Sequence, residues 1–328
     1  MILAGDIGGT HARLALFELQ DGKLKEVVGE TFPSHDFKTL EEIVAKFAAT
    51  HPGKIDHACF GIAGPVRNGR SETPNLAWVV DARLLAQAAG ITSLRLINDL
   101  EANAYGIATL SEKEFIALNP GAPDAIGNQA VISAGTGLGE AGLYWDGRNH
   151  RAFASEGGHC DFAPRDEVEA ELLAWLRKQF GHASWERVLS GPGLYNIYRF
   201  LRDSGRGEEP KWFAEETAHT DPAVVISRAA LANRCELCVK ALDLFVSFYG
   251  AEAGNLALKI MSLGGVFLGG GIAPRIASKL TQPAFMKSFT AKGRMSALLE
   301  AMPVSIILND LTALRGAARC AALDAGLA

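Results

Sequence analysis

The sequence predicts an α/β protein of two domains, and three observations carry the prediction. At 328 residues, 48% of them hydrophobic, the chain can bury one large core or two moderate ones, and two fit the usual size of a domain. Apolar runs of strand length alternate with helical patterns through the first hundred residues. The opening "GDIGGTHARLALF" is echoed by "SAGTGLGEAGLYW", again strand, Gly-rich turn, strand, so the chain reads as two related halves. A count of 35 glycines against 16 phenylalanines favours tight strand-to-helix turns over a β-sandwich.

In order, strands are expected near 2–7 and 12–18, a helix near 38–50, a strand near 56–62, a helix near 81–89, a strand near 93–98 and a helix near 99–110. That order implies a mixed sheet with helical crossovers. "NPGAPDAIGN" breaks the pattern, and the second half opens with "QAVISAGTGLGEAGLYW". Helices follow, through "DEVEAELLAWLRKQFG" and a run in which Leu242, Phe245, Val246 and Tyr249 are spaced three and four apart, a core face. "GGVFLGGGIAP" reads as a buried strand ending in glycines with a helix starting at Pro274, and "PVSIILND" as a last strand before a closing helix at about 311–325. The expected division is a small domain of 1–110 with 309–328 and a large domain of 111–308.

A formal net charge of −5 argues against a nucleic-acid partner. Five scattered cysteines, Cys59, Cys160, Cys235, Cys238 and Cys320, and the lack of a basic-then-apolar leader predict a cytoplasmic protein with reduced thiols. The longest mainly apolar tract, 256–274, carries Lys259 and five glycines, so a helix end, loop and strand are expected there and no membrane contact.

In "GDIGGT", Gly5, Asp6, Ile7, Gly8, Gly9 and Thr10 end one strand and turn into the next, with Gly8 and Gly9 expected to face their N–H groups to an anion. No lysine follows, so this is not a P-loop. Asp6 beside phosphate makes sense if Mg²⁺ stands between them, usually through water; the alternative is an ordinary hairpin with a capping Asp. In the echo, Gly135, Thr136 and Gly137 offer a hydroxyl and close backbone approach to the same polyphosphate. Gly270 and Gly271, at a strand end before the Pro274 helix, suit an adenine-and-ribose shelf, or else a plain strand-to-helix turn.

The set "GDIGGT", "LINDLEANAYG", "SAGTGLG", "EGGHCDFAP", "ERVLSGPG" and "GVFLGGGIAPR", in this order over nearly the whole chain, closely resembles the bacterial glucokinase family of actin-like, hexokinase-type kinases. The resemblance implies two ribonuclease-H-like domains around a cleft, ATP on the phosphate turns and D-glucose between the domains. It further implies transfer of the γ-phosphoryl of Mg·ATP to the C6 hydroxyl of glucose, and often a homodimer. Family members often carry Asn where this chain has His11. It assigns Glu156, His159 and Glu186 to sugar hydroxyls; a neutral polyol needs paired donors and acceptors, which carboxylates and imidazole supply.

The residues support a sugar site separately, because "LRLIND" is an apolar strand ending in Asn98 and Asp99, and ligands of open α/β sheets bind at strand carboxyl ends. Asp99 either caps the next helix or accepts the proton of a sugar hydroxyl attacking the γ-phosphate, with Asn98 orienting its neighbours. The His159, Cys160, Asp161 run raises zinc, but one run without further spaced ligands is weak, and no zinc is expected. "CELC" at Cys235–Cys238 reads as packing. Two rival functions are a kinase for another hexose or amino sugar in the related ROK family, whose Cys-rich zinc motif has no counterpart here, and a non-enzymatic sugar sensor, for which a helix-turn-helix ahead of "MILAGDIGGT" would be expected.

Overall fold

A computed structural model describes residues 1–73, 76 and 78–327. The chain forms two compact units, one of Met1–Glu114, Asp146–Ala154 and Asn309–Ala328, the other of Phe115–Trp145 and Ser155–Leu308.

The first unit opens with β1 (Ile2–Ile7), β2 (His11–Gln20) and β3 (Lys23–Pro33), then α1 (Leu40–Thr50) and β4 (His57–Ile62). A small ribbon of β5 (Val66–Arg67), β6 (Arg70–Glu72) and β7 (Val79–Asp81) precedes α2 (Ala82–Ala89), β8 (Ser93–Asn98) and α3 (Asp99–Gly106). The sheet order is β3-β2-β1-β4-β8, with hairpins joining β1 to β3 and parallel pairing across β1, β4 and β8. Alternation along β1 sends Leu3 and Ile7 into a core with Leu14, Phe47 and Phe60 on one face. Ile2 and Ala4 face the other way, against Ala317, Ala318 and Ala321 of the C-terminal helix (Thr312–Asp324). β3 is absent from the sequence reading because it is an edge strand with a charged, mostly exposed pattern and no clean alternation. α3 ends at Gly106, short of the expected 110, and a 3-10 turn (Ile107–Thr109) follows.

The second unit contains β9 (Phe115–Asn119), β10 (Gln129–Ala134) and β11 (Leu138–Trp145), and β12 (His150–Ser155) carries the chain back into it. Helices α4 (Glu167–Phe180), α5 (Gly191–Asp203), α6 (Lys211–Thr217), α7 (Pro222–Leu231) and α8 (Glu236–Ile260) come next. β13 (Gly265–Gly269), α9 (Ala277–Leu280), α10 (Pro283–Thr290), α11 (Ser296–Glu300) and β14 (Val304–Ile307) complete it. Its strands run β11-β10-β13-β14-β9, with β10, β13 and β14 parallel. The hairpin followed by two parallel strands repeats the pattern of β1, β2, β4 and β8, as the echo in the sequence implies.

Leu242, Phe245, Val246 and Tyr249 are buried on one face of α8, as their spacing predicts. Tyr249 also donates its hydroxyl to the Ile132 carbonyl at 3.1 Å, tying α8 to β10 three residues before Gly135 of the Gly-rich turn. The helix expected from Pro274 is only a four-residue 3-10 segment, Ala273–Ile276, with the four-residue α9 behind it. Among the described residues no helix is long and apolar enough to cross a membrane.

Candidate active site

In the first unit, strand register places the predicted residues at one edge. Asp6 aligns with Gly61 and Gly61 with Ile97, while Ile7, Ile62 and Asn98 align one residue on. The carboxyl ends of β1, β4 and β8 therefore bring the turn after Asp6 and the pair Asn98–Asp99 to the same end of the sheet. β1 and β8 stand two strand spacings apart, about 10 Å. Asp6 is half-buried, and burial pushes its carboxyl up despite Arg13, its register partner. Arg13 is shared with Asp310, donating to its carbonyl at 3.0 Å and lying 3.6 Å from its carboxylate.

The turn corrects one expectation. Gly8 does not present its N–H to an anion, because that group donates to the His11 carbonyl at 2.9 Å and closes the hairpin. Buried Ser34 clamps the turn, its hydroxyl donating to the Gly8 carbonyl at 2.8 Å and its N–H to the Thr10 carbonyl at 2.9 Å. Asp99 is corrected too. The cap of α3 is Asn98, whose Oδ1 accepts from Leu100 N–H at 2.8 Å, with Glu101 completing a capping box by accepting from Asn98 N–H at 3.0 Å. Asn98 Nδ2 donates one of its two protons to the Gly64 carbonyl at 3.0 Å. Asp99 is thus the first residue of the helix, half-buried, its carboxylate held at the electropositive helix start.

In the second unit, Gly135, Thr136 and Gly137 form the turn between β10 and β11, closed by Gly135 N–H to Gly137 O at 2.9 Å. Gly135 has open space where a Cβ would stand, and Thr136 is exposed. The start of α5 leans on this turn through Gly191 N–H to Gly135 O at 2.8 Å, and Ser190 caps that helix. A helix start beside a glycine turn is a favourable place for phosphate. Gly270, at φ 77° and packed on Ala134, follows β13 beside the same turn, because Ser133 pairs with Gly269. Ser133 Oγ is buried there without a hydrogen-bonding partner among the described residues, and Gly271 is open.

Glu156 and His159 lie on a 3-10 loop folded onto β11, with Gly158 against the Leu138 carbonyl. Backbone bonds Trp185 N–H to Cys160 O at 3.0 Å and Phe162 N–H to Ala183 O at 2.9 Å lace this loop to the segment carrying Glu186. Glu186 Oε2 accepts Leu138 N–H at 3.0 Å and occupies the space a Cβ on Gly137 would need, 2.6 Å away. Glu186 and the Gly135–Gly137 turn are therefore mechanically joined. Asp161 pairs with His182 at 2.8 Å, and among the described residues no three His, Cys, Asp or Glu side chains group as metal ligands.

A family model described as Glucokinase matches residues 3–324. The chain belongs to the glucokinase family. A glucokinase of Nostoc punctiforme is 43% identical over 337 residues, covering 98% of this chain and 99% of that one. The crystal structure of a glucokinase from an Antarctic psychrotroph superposes with a TM-score of 0.87 at 36% identity, covering 98% of both chains. A ROK family glucokinase from Streptomyces griseus, solved with glucose and AMPPNP, shares the fold with a TM-score of 0.64 at 19% identity, over 98% of this chain and 99% of that one. The chain accordingly has the two-domain actin-like, hexokinase-type fold of its family.

Sequence reasoning missed three groups that lie against these motifs. Ser34 and Ser190 give no local signal beyond being serines before a turn or helix. A third group was visible as an oddity, since Glu140 interrupts an apolar strand and Glu252 an apolar helix face, and both are buried.

Proposed function

We propose that this chain is a sugar kinase that transfers the γ-phosphoryl group of ATP to the C6 hydroxyl of D-glucose, giving glucose 6-phosphate and ADP. The observation that carries the proposal is the register of β1, β4 and β8, which sets an aspartate at a helix start beside a glycine turn carrying a second aspartate. In the reading, ATP lies on the turns Gly5–Thr10 and Gly135–Gly137, with the adenosine toward Gly270 and Gly271. Open space at Gly135 and Gly271 and the orphaned Ser133 hydroxyl suit a bound nucleotide. Glucose hydroxyls are taken by Asn98, Asp99, Glu156, His159 and Glu186.

Asp6 fits a role toward Mg²⁺: a carboxylate half-buried and raised by burial gains from a nearby dication. Among the described residues no three-ligand cluster includes it, and a single carboxylate would hold the ion through water with phosphate oxygens supplying the rest. Bound Mg²⁺ supplies neutralisation of phosphate charge. Asp99 accepts the proton of the C6 hydroxyl as that oxygen bonds to phosphorus and the bond to the β-phosphate bridging oxygen breaks. Its place at the start of α3 sets the carboxylate at the end of β8, where the hydroxyl would lie.

A coupled ADP-release assay across hexoses tests the proposal. Saturation with glucose and poor use of fructose and N-acetylmannosamine is expected; an N-acetylated sugar as the best substrate would contradict it.

A further inference from the structure

Beneath the Glu156–His159 loop lies a pair of carboxyl groups that the proposed chemistry does not use. Glu140 on β11 and Glu252 on α8 are 1% and 0% exposed. Gly157 of the loop sits so close above Glu140 that a Cβ there would overlap Glu140 Oε2. The two glutamates are not equivalent. Glu252 is well supplied with donors, from Asn255 Nδ2 at 2.7 Å and Lys259 Nζ at 3.4 Å. Among the described residues no N–H or O–H donor reaches Glu140 Oε1, which is buried. Lys292, the other cation nearby, gives its protons to the Ala251 carbonyl at 2.9 Å and Asn255 Oδ1 at 2.6 Å.

A buried site holding two carboxyls and one half-exposed lysine partner tolerates one negative charge, and a buried carboxyl without donors is the one to stay protonated. We infer that Glu140 keeps a proton, shared with Glu252, and that this neutral seat fixes Gly157 and so positions Glu156 and His159 for the sugar. The inference rests on the sugar-site reading above, and both glutamates are positioning residues that act through the loop. Burial first, then the Glu252 charge, push Glu140 up to about 8, while Lys259 pulls it down; Lys292 acts on Glu252, and Arg165 on Lys292. When the proton leaves, two like charges stand in contact under a glycine with no free space, and the loop has to lift.

The test is the pH profile of glucose KM. For one group titrating near 8, with only the protonated form binding, KM rises about tenfold between about pH 7 and 9, while kcat at saturating sugar changes far less. Glu140→Gln, a neutral isostere, should abolish that rise. Thermal stability gives a second reading: a carboxyl raised in the folded chain stabilises it at low pH, so the wild type should lose stability relative to Glu140→Gln as pH climbs toward 8. A wild-type glucose KM flat from pH 7 to 9, or an unchanged rise in Glu140→Gln, would overturn the inference. The wild-type profile needs no variant to fold. If Glu156→Ala also binds glucose normally, the sugar-site reading itself has failed; if Glu156→Ala loses glucose while the profile stays flat, only the inference has.

Discussion

Gly137→Ala puts one methyl group into the space held by Glu186. The added Cβ would lie 2.6 Å from Glu186 Oε2 and 3.5 Å from its Cδ, with nothing else within 4 Å. The obstacle is the far end of a flexible side chain, so the clash is relieved by swinging the carboxylate away and not by unfolding. That movement breaks the bond from Leu138 N–H at 3.0 Å, a charge-assisted hydrogen bond worth about 1.5–3 kcal/mol. Water can replace part of it at this half-exposed turn, so stability should fall by about 1–2 kcal/mol. The larger effect is on the sugar. If Glu186 holds a glucose hydroxyl, misaiming it costs about 1–3 kcal/mol, a rise in glucose KM of roughly 5-fold to 160-fold. Steady-state kinetics in both substrates, with a melting curve, measure both effects and show whether the ATP KM moves. A raised ATP KM with glucose KM unchanged would refute the coupling of Glu186 to the turn.

Other expectations follow from the same geometry. Asp6→Asn removes a burial-raised carboxylate, so the melting temperature should hold or rise while kcat with Mg·ATP falls at least a hundredfold; a destabilised but active variant would make Asp6 structural. Glu156→Ala and His159→Ala should bind ATP normally but lose glucose affinity by about 1–3 kcal/mol each in calorimetry; wild-type glucose affinity in either would remove that residue from the sugar site.

The fold was legible where burial imposes a period on the sequence. β1, β4 and β8 are apolar runs ending in glycine or a polar pair, and the face of α8 repeats at three and four. β3 escaped because an edge strand facing water need not alternate, and the Pro274 helix was overread because proline starts a 3-10 turn as readily as an α-helix. At the candidate site, the motif residues could be named from the sequence, but their hydrogen bonds could not. Whether Gly8 N–H is free, whether Asn98 or Asp99 caps α3, and what stands behind Gly137 depend on contacts between residues distant along the chain. The buried Glu140–Glu252 pair is legible only as two charges out of place, until the fold sets them together beneath Gly157.

The most direct measurement is kcat for Asp99→Asn at saturating ATP and glucose, by coupled ADP release. Asn98 caps α3, and Asp99 Oδ1 also accepts Leu100 N–H at 2.9 Å, a bond an Asn oxygen can keep, so the substitution leaves the cap intact and costs mainly the charge at the helix start, worth about 0.3–1 kcal/mol of stability. The protein should therefore stay folded. If Asp99 takes the proton from the sugar hydroxyl, kcat falls by about 10²–10⁴ with a smaller change in glucose KM. A folded Asp99→Asn protein with near-normal kcat would contradict the account.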